Sequence, residues 1–144
     1  MGVNRSETSS VAMTTRATKV QGGYVLNGAK MWISNAGFAD LFIVFAKISD
    51  DKNLTAFIVE KTFGGITMNE EEKKLGIKGS STRQVFFNDC PVPVANMLSD
   101  RGNGFKIAVN ILNIGRVKLG AGILGGARTV TSQCVRYSGE RKQF

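Results

Sequence analysis

Side chains able to do chemistry are sparse in this chain, and what is missing excludes a good deal. None of the 144 residues is histidine, which removes an imidazole general base, a His-dependent nucleophile triad and a Cys/His zinc finger together. Cys90 and Cys134 stand too far apart for a CxxC redox or metal pair and read as reduced structural thiols of an intracellular protein. No residues are assigned to a metal. The acidic runs Asp50-Asp51 and Glu70-Glu71-Glu72 sit among turn residues and read as solvated loops. Residues 101 to 144 hold Arg101, Lys106, Arg116, Lys118, Arg128, Arg136, Arg141 and Lys142 against a single acid, Glu140. Such a bias suits either a solvated helix face or a surface that meets phosphates of nucleic acid, a nucleotide or coenzyme A. Gly120-Ala121-Gly122-Ile123-Leu124-Gly125 matches GxGxxG, the phosphate-cradling turn of dinucleotide-binding folds.

The elements that must position these groups change character along the chain. With 42% hydrophobic and 21% charged residues, the composition is that of an ordered globular chain. Across the first hundred residues short strands follow one another. Gly22-Gly23 separates a polar strand ending near Val20 from Tyr24-Val25-Leu26, and Asn27-Gly28 is a two-residue hairpin signal leading into Lys30-Met31-Trp32-Ile33. Leu41 to Ile48, Leu54 to Glu60, Gly65 to Met68 and Arg83 to Asn88 complete the series, which Pro91 and Pro93 end by holding the chain extended. The expected fold is mainly β, an antiparallel barrel or sandwich over residues 1–101, with one long helix over 102–144.

From Gly104 on, Phe105, Ala108, Val109, Leu112, Val117, Leu119, Ile123, Ala127, Val130 and Cys134 follow helical spacing. A helix reaching Tyr137 would measure about 50 Å and could not bury its stripe on the β half alone. It is expected to join a bundle whose other members lie outside this sequence, which then reads as a piece of a longer protein. The GxGxxG match loses to the same pattern: Arg116-Val117-Lys118-Leu119 is a poor buried strand, and no second strand of a βαβ unit follows. Close approach of neighbouring helices explains the glycines better. Uncharged apolar runs fall well short of the ~18 residues of a membrane span, and MGVNRSETSS has no signal-peptide core.

Lys30-Met31-Trp32-Ile33-Ser34-Asn35-Ala36-Gly37, preceded by Tyr24-Val25-Leu26-Asn27-Gly28, resembles a segment of the middle β-domain of flavin-dependent acyl-CoA dehydrogenases. Further stretches agree in order: Lys74-Leu75-Gly76-Ile77-Lys78-Gly79-Ser80-Ser81-Thr82, Val92-Pro93-Val94-Ala95-Asn96-Met97-Leu98, Gly102-Asn103-Gly104-Phe105, Arg116, and Glu140-Arg141-Lys142-Gln143-Phe144. On its own, a single tryptophan in a strand reads as core; the shared register of the other stretches is what changes that reading. The resemblance implies FAD as cofactor, with Trp32, Ile33 and Ser34 beside the flavin ring, where an indole packs on the isoalloxazine edge and a hydroxyl reaches N5. It implies that Arg141, Lys142 and Gln143 reach the FAD of a neighbouring subunit, arginine being suited to pyrophosphate. Asn113, Ile114, Gly115 and Arg116 match the helix segment that contacts the acyl-CoA, and Asn110-Ile111-Leu112-Asn113 is more similar to the very-long-chain branch.

Two departures stand out. The family's flavin- and substrate-binding strand should precede Met13-Thr14-Thr15-Arg16-Ala17, where this chain has Arg5-Ser6-Glu7-Thr8-Ser9-Ser10; Thr8 and Ser9 are the substrate contacts the alignment offers there. The catalytic glutamate is absent, because the position before the helix arginine is Gly115 and the other family position lies beyond the sequence. No catalytic residue is therefore assigned. What the resemblance implies is part of an enzyme that desaturates a fatty acyl-CoA at the α,β bond and passes electrons to an electron-transfer flavoprotein. The full-length protein would be a homo-oligomer, cytoplasmic in a bacterium or in the mitochondrial matrix of a eukaryote, and the piece alone would be inactive. Two other classes fit the residues: a related flavoprotein turned to nucleic-acid binding through the basic C-terminal segment, and a non-enzymatic β-domain with an assembly helix.

Overall fold

The computed structural model describes residues 14–49 and 51–143. Seven strands, β1 (Arg16–Val20), β2 (Gly23–Ser34), β3 (Leu41–Ile48), β4 (Leu54–Glu60), β5 (Ile66–Met68), β6 (Thr82–Pro93) and β7 (Met97–Leu98), precede one helix, α1 (Gly104–Glu140). The strands form one sheet in the order β5-β6-β2-β1-β3-β4-β7. Every ladder is antiparallel except β1 with β3, where Arg16 and Ala17 face Lys47 and Ile48 in parallel. The sheet is therefore mixed, against the purely antiparallel expectation. After pairing with β1, the chain leaves β2 through residues 35–40 and returns on the other side of β1, and such a crossover makes a parallel pair.

The Asn27-Gly28 hairpin is not formed. The tight turn lies one step earlier, at Gln21-Gly22, with Val20 opposite Gly23 and Gly22 at a φ of 82°. Residues 23–34 then run as one twelve-residue strand, in which Asn27-Gly28 makes a bulge against β6. Gly28 has a φ of 140°, and a Cβ there would lie 2.8 Å from the Thr15 Cα. The glycine that signals a hairpin turn serves a bulge equally well, since both need backbone that side chains disfavour.

Pro91 and Pro93 do not end the strand series either. They lie within β6, opposite Val25 and Gly23, beyond the stretch where β5 covers the other edge. A missing N–H is tolerated where the strand has a neighbour on one side only.

The core is the inward face of this sheet. Along β3 the alternation is regular: Phe42, Val44, Ala46 and Ile48 are buried, whereas Leu41 and Ile43 are exposed. Leu26, Phe57, Val59, Val85, Phe87 and Val92 are nearly inaccessible, and the Tyr24 ring meets Phe57 edge-on at 5.2 Å. Aromatic edge contacts of this kind add about 0.5–1.5 kcal/mol beyond burial.

The chain divides into two compact units, Met1–Ile107 and Ala108–Phe144. Within the second, α1 carries two apolar faces rather than the single stripe expected. At 100° per residue, Leu112, Leu119, Ile123 and Val130 fall on one side, and Ile114, Val117, Leu124 and Val135 on a second, roughly 150° away. An 18-residue window of α1 reaches a mean hydropathy of 1.4, so by length and composition the helix could cross a membrane. The expectation of no span therefore does not follow from hydropathy.

Candidate functional site

Within the first unit, Trp32, Ile33 and Ser34 end β2, and the backbone there is unusual. The β2–β6 register slips between Lys30 and Ile33, and Trp32, in that slip, has a φ of 61°. A bulky residue in the left-handed region costs about 1–2 kcal/mol. The bulge turns the indole out of the alternation and leaves it 52% exposed, though it is the chain's only tryptophan. Asn35 follows at a φ of 65° and donates its N–H to the Ser81 carbonyl at 2.9 Å. The Asn35 carbonyl in turn accepts from Phe38 and Ala39, closing a tight turn. Two left-handed residues thus fall within four positions, around an exposed aromatic and a hydroxyl.

Beside this strand end lies a cavity of about 270 Å³, lined by Lys30, Ile33, Ser34, Leu41, Val85 and Phe87 among others. Its walls are mainly aliphatic and aromatic, with Lys30 and Ser34 as the polar residues of the lining.

Sequence reasoning missed the acid that holds the neighbouring strand. Glu71, taken as part of a solvated run, accepts from the Ser81 hydroxyl at 2.5 Å, the Thr82 N–H at 2.8 Å and the Arg83 Nε at 2.9 Å. Those bonds, the Ser81 hydroxyl foremost, hold its carboxyl down at about 2. Lys74 donates to the Ser80 carbonyl at 2.5 Å and the Thr82 hydroxyl at 2.8 Å. No local spacing distinguishes Glu71 from Glu70 and Glu72, because its partners lie ten to twelve residues on.

The remaining expected residues fall elsewhere. Asn113, Ile114, Gly115 and Arg116 form one turn of α1, where Arg116 donates to the Asn113 side-chain oxygen at 3.4 Å. Arg141, Lys142 and Gln143 follow the helix end; the Arg141 guanidinium lies 5.7 Å from the Tyr137 ring centre and hydrogen-bonds its hydroxyl. Some 25 residues of helix separate Arg116 from Arg141, about 37 Å along the axis, so the two cannot meet on one phosphate. The GxGxxG stretch is interior helix, which rules out a phosphate-binding turn. Thr8 and Ser9 lie outside the described residues. Among the described residues no cluster of three or more His, Cys, Asp or Glu side chains could hold a metal ion.

A family model described as "Acyl-CoA dehydrogenase, middle domain" matches residues 2–90, and one described as "Acyl-CoA dehydrogenase, C-terminal domain" matches residues 102–144. The chain belongs to the acyl-CoA dehydrogenase family. A probable acyl-CoA dehydrogenase of Bacillus subtilis is 50% identical over 121 residues, covering 84% of this chain and 20% of that protein. The mitochondrial very long-chain specific acyl-CoA dehydrogenase of Rattus norvegicus is 46% identical over 129 residues, again 84% of this chain and 20% of the relative. A crystal structure of an acyl-CoA dehydrogenase complexed with FAD from Bacillus anthracis superposes with a TM-score of 0.85 at 46% identity, covering 99% of this chain and 25% of that one. The chain thus spans about a fifth of the length of these curated acyl-CoA dehydrogenases. The match of residues 102–144 to a C-terminal domain of this family assigns α1 there on grounds other than hydropathy.

Proposed function

We propose that this chain is the middle β-domain and first long C-terminal helix of an FAD-dependent acyl-CoA dehydrogenase that desaturates a fatty acyl-CoA at its α,β bond. One observation carries the reading: an exposed tryptophan on a strained bulge, two residues before a serine that lines an apolar cavity, in a chain similar to an acyl-CoA dehydrogenase complexed with FAD. When bound, the flavin supplies a hydride acceptor, which no side chain of this chain could replace. Trp32 would offer its indole to the flavin, Ile33 lines the adjoining cavity, and the Ser34 hydroxyl would supply a hydrogen bond to a ring heteroatom. The Trp32 ring also keeps water from that side of the site.

Asn113 to Arg116 contact the acyl-CoA, with the Arg116 guanidinium as the cationic group. Arg141, Lys142 and Gln143 meet the pyrophosphate of a cofactor held by a second subunit, and the 37 Å or so of helix between the arginines supports such a division of ligands. This requires a homo-oligomer. The base that removes the α-proton comes from outside these residues: Gly115 has no side chain, and the one acid of α1, Glu140, stands about 36 Å from Arg116. Electrons leave to an electron-transfer flavoprotein. The protein works inside the cell, in the cytoplasm of a bacterium or in the mitochondrial matrix.

The test is the visible spectrum of the full-length protein purified without added flavin, before and after anaerobic addition of a fatty acyl-CoA. A flavin band that bleaches supports the reading. No flavin refutes it, and a band indifferent to acyl-CoA leaves a flavoprotein of other function, with salt-dependent DNA binding as the check on the nucleic-acid alternative.

A further inference from the structure

The segment at residues 69–74 carries no assigned strand, yet it is fastened to the start of β6 with unusual density. Asn69 donates its N–H to the Gln84 carbonyl at 3.1 Å and Glu72 to the Thr82 carbonyl at 2.9 Å, so this segment runs beside β6 like an added strand. All the polar atoms of Thr82 are engaged: its N–H by Glu71, its carbonyl by Glu72, its hydroxyl by Lys74. Glu71 also holds the residues on either side, Ser81 and Arg83.

Those residues are the direct partners of the site. Thr82 faces Ser34 and Arg83 faces Ile33 across the β2–β6 ladder, and the Ser81 carbonyl receives the Asn35 N–H. The tight turn after Ser34 closes over the same group, for a Cβ on Gly37 would lie 3.0 Å from both the Ser81 hydroxyl and the Arg83 Nε. Trp32 and Asn35 are each in the left-handed region and would relax if the facing strand could shift.

We propose that Glu71 and Lys74 are positioning residues for the flavin site: by clamping Ser80 to Arg83 they fix the strand against which the strained Trp32 and Asn35, and Ser34 between them, are held. The proposal rests on the flavin reading above. Neither side chain touches the cofactor; each acts through Thr82 and its pairing with Ser34. A purely structural clamp would lower stability and leave bound flavin spectroscopically unchanged. A positioning clamp moves the ring's environment as well.

The experiment uses the full-length flavoprotein with Glu71→Ala, Glu71→Gln and Lys74→Met. Flavin absorption maxima, flavin midpoint potential, flavin affinity and thermal midpoint are read for each. Glu71→Ala and Lys74→Met should displace the visible maxima and the potential and weaken flavin binding about fivefold, the equivalent of one hydrogen bond. Glu71→Gln keeps one acceptor oxygen for the Thr82 N–H and an amide that can donate to the Ser81 hydroxyl, and should restore part of the spectrum. Unchanged spectra and potentials with a lowered thermal midpoint would overturn the proposal and leave the flavin reading intact, whereas a wild-type protein without flavin would overturn both. Should Glu71→Ala fail to fold, Lys74→Met and Glu71→Gln still decide, because each leaves the Glu71 backbone and most of the clamp in place.

Discussion

Replacing Trp32 by glycine and, separately, by alanine isolates the backbone strain at the site from everything the indole does. Both variants lose the same ring, so its partial burial cancels between them. Alanine at a φ of 61° bears the left-handed penalty of about 1–2 kcal/mol. Glycine escapes it, at the usual entropic cost of about 0.5–1 kcal/mol relative to alanine in a strand. Trp32→Gly should therefore be the more stable of the two by up to about 1.5 kcal/mol, or up to roughly 6–12 °C in thermal midpoint for a unit of this size. Calorimetry on the two variants at equal concentration reads the difference without the lost tryptophan signal. Ile43, an exposed strand position with ordinary backbone, is the control, where Ile43→Ala should be more stable than Ile43→Gly. Finding Trp32→Ala above Trp32→Gly by as much as Ile43→Ala stands above Ile43→Gly would refute the strained bulge as the reason the indole faces outward.

Other outcomes follow from the same geometry. Glu71 is held at about 2, below its ordinary 4.5, so its ionised form favours the folded state; that contribution is whole above about 4.5 and is lost as pH falls toward 2. Acid titration of the thermal midpoint should accordingly be shallower in Glu71→Gln over that window. Gly28→Ala places a Cβ against Thr15 at a φ of 140° and should cost about 2 kcal/mol or more in urea unfolding. Gly122→Ala should raise the helicity of this chain, measured by circular dichroism, because nothing lies within 4 Å of the added methyl and alanine gains up to ~1 kcal/mol in a helix. In the full-length protein the same substitution should lower the thermal midpoint if another helix approaches there.

Legibility followed the range of the forces involved. β3 and β4 were readable to the residue, since apolar runs bounded by Asp-Lys-Asn and Gly-Gly turns are local signals. The long helix was readable from its spacing. The Asn27-Gly28 bulge was not, because whether such a glycine turns the chain or bulges it depends on β6, some sixty residues away. The parallel β1–β3 pair and the Glu71 clamp were hidden for the same reason, each needing a partner no neighbouring residue announces. The second apolar face of α1 escaped because one stripe already accounted for most of its apolar side chains. Trp32 and Ser34 were singled out through resemblance and register, whereas the backbone strain that turns the indole outward belongs to three dimensions.

The broadest strand interface joins β2 to β6, with partners running from Ser34 and Thr82 out to Gly23 and Pro93. Closing so long a loop demands chain entropy before any ladder bond repays it, whereas the β3–β4 hairpin closes across a few residues. The order of assembly follows: β3 and β4 zip early, β1 and β2 meet at their own tight turn, and β6 docks last. Because the slip that sets Trp32 and its turn exists only against β6, that bulge takes its shape only once β6 has docked. On a ribosome it would stay unformed until residues 82–85, which face Lys30 to Ser34, have left the exit tunnel.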